Sequence, residues 1–138
     1  MSTTKLTPQD LEQYRRDRVL VDPYLEWADG EGVPVHQDFG VDLLAAETKP
    51  WARFGCNGAI VNLHGRGSYC STFLFELAPG GSTVPQRHLY EDVYYVLSGH
   101  GSTQVQTSDG RTHSFEWGPK SLFALPLNAP YRLFNGSG

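Results

Sequence analysis

The chain has 138 residues, of which 39% are hydrophobic and 19% are charged, and its formal net charge is -4. This length suits one compact domain, and the apolar content is too high for a disordered chain. The negative charge argues against the basic field that non-specific binding to DNA or RNA needs, so we expect no nucleic-acid partner. The apolar residues are spread too evenly for a membrane protein, and we expect no membrane partner.

The N-terminal sequence MSTTKLTPQD contains no apolar run of the kind that a secretory signal needs. We therefore expect a cytoplasmic protein in which the two cysteines, Cys56 and Cys70, stay reduced. Their spacing matches neither a metal-binding nor a redox motif, and the sequence predicts two buried thiols.

Helical signals are confined to the first part of the chain. Thr7-Pro8 predicts a helix start, because threonine caps helices and proline suits the first helical position, and this helix is expected to continue to about Arg18. A second pair of this kind, Asp22-Pro23, predicts one more helical turn over residues 24–28. The sequence thus predicts a short N-terminal helical arm over residues 1–32.

After residue 32 the pattern changes to short apolar runs separated by Gly, Pro, Asn, Ser and Asp, which is typical of antiparallel strands. The runs are Ala59–Leu63, Ser71–Leu77, Val93–Leu97, Thr103–Gln106 and Leu122–Leu125. Asp109-Gly110 predicts a tight hairpin turn, because both residues tolerate positive φ angles. Residues 33–138 are therefore predicted to form an all-β domain.

The last predicted strand, Tyr131–Phe134, lies close to the end of the sequence. If such a sheet normally has one or more further strands, this chain lacks them and the sheet has an open edge. Open edges are usually covered. We therefore expect a homodimer, or a second domain or partner that covers this edge.

Two motifs give a more specific indication. The stretch PGGSTVPQRHLYEDVYYVLSG over residues 79–99 resembles the first signature of the cupin superfamily. The Gly, two His, Glu and Gly of that signature correspond to Gly80, Gln86, His88, Asp92 and Gly99. The Gly, Pro, Gly, His and Asn of the second cupin signature correspond to Lys120, Pro126, Asn128, Tyr131 and Asn135. The spacing of both signatures is kept, whereas the residues at the metal-ligand positions differ.

This resemblance implies that residues 33–138 form a small antiparallel cupin barrel, or jelly roll, with a site inside its mouth. The segment Gln86-Arg87-His88 is similar to the N-terminal half of two-domain ring-cleaving dioxygenases of the gentisate type, where it reads His-Arg-His. Cupins include iron, manganese, zinc and metal-free members, which act as dioxygenases, isomerases, epimerases or storage proteins. The fold by itself therefore does not select a function.

The residues at the ligand positions predict a degenerate metal site. A cupin centre uses three imidazoles and one carboxylate, whereas this chain offers one imidazole, one carboxylate, an amide and a phenol: His88, Asp92, Gln86 and Tyr131. Amides and protonated phenols are poor metal ligands. We expect no tightly bound cofactor, and at most weak binding of a divalent ion such as Fe, Mn, Zn or Ni by His88 and Asp92.

The same residues also predict a small-molecule site. Gln86, His88 and Asp92 share parity, so a regular strand would direct their side chains to one face. The hydroxyls of Tyr94 and Tyr131 would join them. With Gln86, Tyr94 and Phe123 as ligand contacts, the result would be a polar cluster in an apolar cup.

Three functions remain open. The first is metal-independent acid–base chemistry on a small organic substrate (isomerisation, epimerisation or cyclisation), with His88 as base, Asp92 as its orienting carboxylate and Tyr131 as acid. The second is a non-catalytic cupin domain that binds a ligand or supports a partner. The third is an iron-dependent ring-cleaving dioxygenase, with His88, Asp92 and an unidentified ligand on the iron.

Overall fold

The structure is a computed structural model, and it describes residues 7–9, 12, 23–66 and 70–136. The chain divides into two compact units, Met1–Gly32 and Val33–Gly138. None of the described helices is long and apolar enough to cross a membrane.

The first unit contains helix α1, Pro23–Gly30. It begins at the predicted proline, whose fixed φ angle suits the first helical position, and it ends two residues after the predicted turn. Ala28 is buried, and the rings of Tyr24 and Trp27 lie 5.6 Å apart. Residues 8, 9 and 12 are also helical; the remainder of the helix expected up to residue 18 lies outside the described residues.

The described part of the second unit contains nine strands. They are β1 Val35–Asp38, β2 Lys49–Trp51, β3 Cys56–Leu63, β4 Thr72–Glu76, β5 Asp92–Tyr95, β6 Gly101–Gln106, β7 Thr112–Trp117, β8 Leu122–Leu125 and β9 Tyr131–Asn135. Together they form a small β-rich fold of several mostly antiparallel sheets, which is compatible with a jelly roll. No closed barrel is found among the described residues.

Strand β3 is the centre of the first sheet. It is a nearly continuous apolar run whose middle residues are buried, as expected for a strand that is covered on both faces. Strand β4 pairs with it antiparallel, β2 pairs antiparallel with its beginning, and β1 pairs parallel with its end. An aromatic cluster packs beside it, formed by Trp51, Phe54, Phe73 and Phe75. Cys56, at the start of β3, is half-buried, whereas Cys70 is exposed, so the prediction of two buried thiols is wrong for Cys70.

Strand β6 is the centre of the second sheet, between β7 and β9. The predicted turn between β6 and β7 is confirmed: Gly110 has a φ of 80°, and Gln106 pairs with Thr112. The core beside this sheet consists of Val105, Leu125, Ala129, Tyr131 and Leu133, with Leu77, Tyr94, Phe115 and Phe123 packed against it.

Strand β9 is paired along both edges. One edge pairs with β6. Along the other edge, Ser82 pairs with Phe134 and Gln86 pairs with Tyr131. The open edge expected at this strand is therefore not found, because residues 81–86 cover it. These residues are mostly small or polar and give no strand signal of their own.

Candidate active site

The candidate site lies on a ribbon formed by the stretches that contain β5 and β8. Gln86 pairs with Tyr131 at one end of this region, and Asp92 pairs with Leu125 at the other end. The spacing from Gln86 to Asp92 equals the spacing from Leu125 to Tyr131. The ladder therefore stops and resumes in the same register.

Between those two pairs the ribbon opens. Residues 87–91 and 126–130 belong to no strand. His88 lies within this opening, while Asp92 and Tyr131 are the first residues of the strands that follow it. The opening thus brings together side chains from one irregular segment and from two strands in different sheets.

His88 and Asp92 form the closest contact of the site. Nε2 of His88 lies 2.5 Å from Oδ2 of Asp92. Because a carboxylate only accepts hydrogen bonds, Nε2 must carry the proton. The other ring nitrogen, Nδ1, makes no hydrogen bond to any described residue, so in the neutral ring it presents a lone pair.

Asp92 Oδ2 accepts a second hydrogen bond from another strand. The hydroxyl of Tyr131 donates to it over 3.0 Å. The hydroxyl oxygens of Tyr131 and Tyr94 are 2.8 Å apart, and since the single Tyr131 proton points to Asp92, Tyr94 must be the donor in that pair. The result is one directed chain in which Tyr94 donates to Tyr131, Tyr131 donates to Asp92, and His88 donates to the same carboxylate oxygen.

Both tyrosines of this chain are held in the protonated form. Burial is the main cause that raises the pKa of Tyr131 well above its usual value, and the neighbouring Tyr94 and Asp92 raise it further. Burial also raises the pKa of Tyr94, although its hydrogen bond to Tyr131 opposes this effect. Both hydroxyls therefore keep their protons at neutral pH.

Solvent reaches the His88 and Asp92 end of the network more than the Tyr131 end. The side chains of His88 and Asp92 are 17% and 21% exposed, whereas Tyr131 is only 4% exposed. Tyr90, which is 50% exposed, stacks on one face of His88 with ring centroids 3.8 Å apart and planes inclined by 10°. The edge of Tyr131 lies against the imidazole at 5.7 Å. The ring is thus held on several sides without a hydrogen bond from a described residue to Nδ1.

Of the other expected ligand contacts, Tyr94 joins the network, Phe123 supports it and Gln86 lies apart. Phe123 stacks on Tyr94 with ring centroids 5.2 Å apart. The amide nitrogen of Gln86 donates to the backbone carbonyls of Arg53 and Val84, so its side chain is not hydrogen-bonded to His88 or Asp92.

The donor set does not fit a cupin metal centre. Gln86 uses its amide elsewhere, Tyr131 is a protonated hydroxyl that donates to Asp92, and the two remaining candidates, His88 and Asp92, are hydrogen-bonded to each other. A cation on Nε2 would have to displace the proton shared with Asp92. Among the described residues, no group of three or more His, Cys, Asp or Glu side chains is arranged to hold a metal ion.

Sequence reasoning does not identify Tyr90 as part of the site. An exposed tyrosine in an irregular segment is ordinarily a surface residue, and its contact with His88 depends on the bend at residues 89–90. Asn128 enters the sequence interpretation only as a motif position. It lies across the opening from His88, and its backbone N–H donates to the His88 carbonyl over 2.6 Å.

Two cavities in this unit lie away from the network. One, of about 280 Å³, is lined mainly by His100, Ser102, Glu116 and Trp117. The other, of about 420 Å³, includes Cys56, Glu76 and Ser82 in its lining. Neither is lined by His88, Asp92 or Tyr131. We place the candidate site at the hydrogen-bonded network because the cavities hold no comparable set of mutually bonded, titratable side chains.

No family model matches this chain, and no curated protein matches it either.

Proposed function

We propose that this protein catalyses metal-independent proton transfer on a small carbonyl compound, of the kind used in isomerisation, epimerisation or cyclisation. The observation that carries the proposal is the double hydrogen bond to Asp92 Oδ2, from His88 Nε2 and from the Tyr131 hydroxyl. A carboxylate in this position fixes the ring orientation and the tautomer of a catalytic imidazole. It leaves Nδ1 as the basic atom of a partly exposed imidazole.

His88 is the base in this proposal. Nδ1 removes a proton from the carbon next to a carbonyl group, and the electron pair of the broken C–H bond moves onto the carbonyl oxygen to give an enolate. The imidazolium that forms is stabilised by the Asp92 carboxylate at Nε2. The proton on Nδ1 exchanges with solvent before it returns. In a substrate with a hydroxyl on the carbon next to the carbonyl group, that hydroxyl proton then moves to the former carbonyl oxygen while Nδ1 delivers a proton to the former carbonyl carbon. This step restores the neutral ring and gives the isomerised product. Because one base acts on one face of the substrate, isomerisation is favoured over epimerisation, which needs a second base on the opposite face. In a cyclisation, the enolate carbon instead attacks a second carbonyl carbon of the same substrate, and the alkoxide that forms takes the proton from Nδ1.

Tyr131 acts through Asp92 in this proposal, so its role differs from the general acid that the sequence predicts. Its hydroxyl is bonded to both Asp92 and Tyr94, and the residue is 4% exposed. Donation of its proton to a substrate would break the bond that holds Asp92. We therefore assign Tyr131 the role of a positioning residue for the carboxylate.

We further propose that the β-rich unit is a cupin-type jelly roll. Two features support this assignment: the spacing of the two cupin-like motifs, and the position of the network at their ligand positions 88, 92 and 131. Those residues come together across two strands and one irregular segment, as a site built on such a fold requires. On this proposal, a metal centre has been replaced by a hydrogen-bonded acid–base network.

A second candidate function, a non-catalytic domain, is favoured by one specific observation. Neither described cavity is lined by the network, and its most extensively bonded hydroxyl, on Tyr131, is buried. A hydrogen-bonded polar network that is largely buried can also give a fold a unique packing. On this alternative the His88 network stabilises the fold and does no chemistry.

Solvent deuterium exchange distinguishes these candidates even while the substrate is unidentified. The protein is incubated in D₂O with separate 2-oxo acids, ketoses and aldoses, and loss of C–H signal is followed by proton NMR. We expect wild-type protein to exchange at least one compound, and His88→Gln to reduce that rate by about a hundredfold or more. His113→Gln, an exposed histidine on β7, is the matched control and keeps the wild-type rate.

Addition of EDTA completes the design. We expect the exchange rate to be unchanged by the chelator. A rate that EDTA abolishes and Fe²⁺ restores would favour the iron-dependent alternative instead. Absence of exchange on the whole panel, or equal rates in wild type and His88→Gln, would overturn the proposed activity in favour of the non-catalytic candidate.

A further inference from the structure

The contact between His88 and Asp92 depends on the opening of the ribbon. In an extended strand, four residues span about 13 Å, because each adds about 3.3 Å. The two side chains nevertheless approach to 2.5 Å. The chain can bring them together only because residues 87–91 leave the ladder and bend. Whatever maintains the opening therefore determines the position of the imidazole.

Asn128 makes two hydrogen bonds across the middle of this opening. Its backbone N–H donates to the carbonyl of His88 over 2.6 Å. Its side-chain Oδ1 accepts a hydrogen bond from Nε of Arg87 over 2.9 Å. Asn128 thus binds both His88, which carries the imidazole, and Arg87, the residue before it.

The backbone of Asn128 is in the left-handed region, with a φ of 60°. Among residues with side chains, asparagine tolerates this region best, along with aspartate. Here its short side chain also supplies the acceptor for Arg87. An asparagine therefore meets both requirements of this position, the backbone conformation and the side-chain acceptor.

We infer that Asn128 is a positioning residue for His88, which holds the opened ribbon so that Nε2 meets Asp92 and Nδ1 stays available. The catalytic consequence of this inference rests on the proposed function. The geometric part is independent of it, because it concerns the bond between His88 and Asp92 whether or not a substrate turns over.

The test measures the exchange rate of the His88 Nε2 proton with water by ¹H–¹⁵N NMR, with the signal assigned by its loss in His88→Gln. Asn128→Ala removes the side-chain acceptor and places alanine in the left-handed region. Asn128→Gly removes only the acceptor, and Asn128→Asp keeps an acceptor for Arg87. Arg87→Ala removes the same side-chain bond from the other partner.

Lys120 supplies a matched control. It has a φ of 67°, and its N–H donates to the carbonyl of Val96 over 2.8 Å, in a turn apart from His88 and Asp92. Lys120→Ala therefore introduces alanine in the same backbone region without removing the bonds of Asn128. If Lys120→Ala changes the exchange rate of the His88 ring proton as Asn128→Ala does, the change is a general effect of backbone strain and not of the lost Asn128 side chain.

We expect the His88 ring proton to exchange about tenfold faster in Asn128→Ala, with a smaller increase in Asn128→Gly and Arg87→Ala. We expect Asn128→Asp and Lys120→Ala to stay close to wild type. Equal exchange in Asn128→Ala and Lys120→Ala would overturn the inference. If Asn128→Ala does not fold, the comparison of Asn128→Gly with Asn128→Asp tests the inference instead. The inference is overturned if the ring proton exchanges at the wild-type rate in both variants.

The two proposals fail separately. If the Asn128 variants leave the exchange rate of the His88 ring proton unchanged while the wild-type protein exchanges substrate deuterium, the role of Asn128 is wrong and the proposed activity stands. A clear ring-proton effect in a protein that exchanges no substrate would retain the role of Asn128 and remove the activity.

Discussion

Asp92 is the residue on which the candidate site depends, because one of its oxygens accepts hydrogen bonds from two separate parts of the chain. His88 reaches it from the irregular segment before β5, and Tyr131 reaches it from β9. The two hydrogen bonds to this charged acceptor stabilise the structure more than two bonds between neutral groups would, since hydrogen bonds to ionised groups are about twice as strong. The side chain that orients the base is thus also a link between sheets.

Asp92→Asn is predicted to damage activity more than stability. The amide keeps the shape of the carboxylate but removes its charge, and its NH₂ group donates where the native group accepts. Deuterium exchange should fall about a hundredfold or more, while urea unfolding should show a loss of about 1–3 kcal/mol. An Asp92→Asn protein with full exchange activity would contradict the role given to this carboxylate.

Tyr131→Phe separates a positioning role from an acid role. Removal of the hydroxyl takes one donor from Asp92 and leaves the Tyr94 hydroxyl without its acceptor. We expect a stability loss of about 1–3 kcal/mol, with deuterium exchange reduced much less than in His88→Gln. A loss of exchange as large as that of His88→Gln would show that Tyr131 itself transfers a proton to the substrate.

The two cysteines should differ in reactivity. Burial raises the pKa of the Cys56 thiol to about 11, whereas Cys70 is exposed. Because the thiolate is the reactive form, iodoacetamide at pH 8 should modify Cys70 at least about tenfold faster than Cys56, as followed by peptide mass spectrometry. Faster modification of Cys56 would contradict its placement at the half-buried start of β3.

At the scale of single elements, the position of Gly101 at the start of β6 is set by a close approach. A Cβ atom there would lie 2.1 Å from the carbonyl oxygen of Phe134 and 2.3 Å from the ring of Trp117. The Trp117 indole donates to Thr103 over 3.0 Å and is part of the packing inside this sheet. The glycine therefore allows the indole to lie close to the backbone of β6.

Gly101→Ala is predicted to destabilise the second unit by about 1–3 kcal/mol or more, because backbone and ring must both shift. Gly40→Ala is the matched control, since a Cβ at Gly40 meets nothing within 4 Å, and its effect should stay within about 0.5 kcal/mol. Urea unfolding followed by tryptophan fluorescence measures both. Equal stability of the two variants would contradict the packing at Gly101.

The elements also show how far the sequence could predict this fold. The short run Thr103–Gln106 and the Asp109-Gly110 turn predict the hairpin of β6 and β7, because local signals determine such elements. The pairing of residues 81–86 with β9 was missed, since it depends on long-range backbone hydrogen bonds between residues of low strand propensity. The open edge expected at β9 was an error of this kind.

The candidate site was predictable in composition but not in geometry. The motif spacing selected His88, Asp92 and Tyr131, which the structure joins in one network. The shared parity of His88 and Asp92 was a poor argument for it, because a strand would separate them and only the bend at residues 89–90 brings them together. No single-sequence signal predicts that bend, and none predicts that the Gln86 amide donates to the carbonyls of Arg53 and Val84.

At the scale of the whole molecule, several polar side chains are held protonated by burial. The pKa values of Tyr131 and Tyr94 are raised mainly by burial, and that of Cys56 is raised to about 11 by the same cause. A group whose pKa is raised on folding contributes its full stability below its unfolded pKa and loses it as the pH rises through the folded value. The molecule should therefore lose stability in alkali.

The free energy of unfolding should fall as the pH rises above about 10, where an unfolded tyrosine loses its proton. The slope has an upper limit of about 1.4 kcal/mol per pH unit for each tyrosine that keeps its proton in the folded state. Urea unfolding between pH 8 and 11 measures it, and Tyr131→Phe should reduce the slope. An equal slope in Tyr131→Phe and wild type would contradict the protonated, buried hydroxyl.

The expectation of a homodimer or covering partner stays a prediction. Its original basis, an open edge at β9, is absent. The outward side of the β5 and β8 pair instead carries exposed apolar side chains, among them Val93, Tyr95 and Leu122. Light scattering of the purified chain measures the oligomeric state directly.

The tautomer of the His88 ring tests the central claim most directly. Long-range ¹H–¹⁵N NMR at a pH where the ring is neutral distinguishes a proton on Nε2 from a proton on Nδ1. The hydrogen bond to Asp92 predicts the Nε2–H form, with Nδ1 as the basic atom, and loss of this preference in Asp92→Asn. A neutral ring that carries its proton on Nδ1 in the wild-type protein would contradict the account.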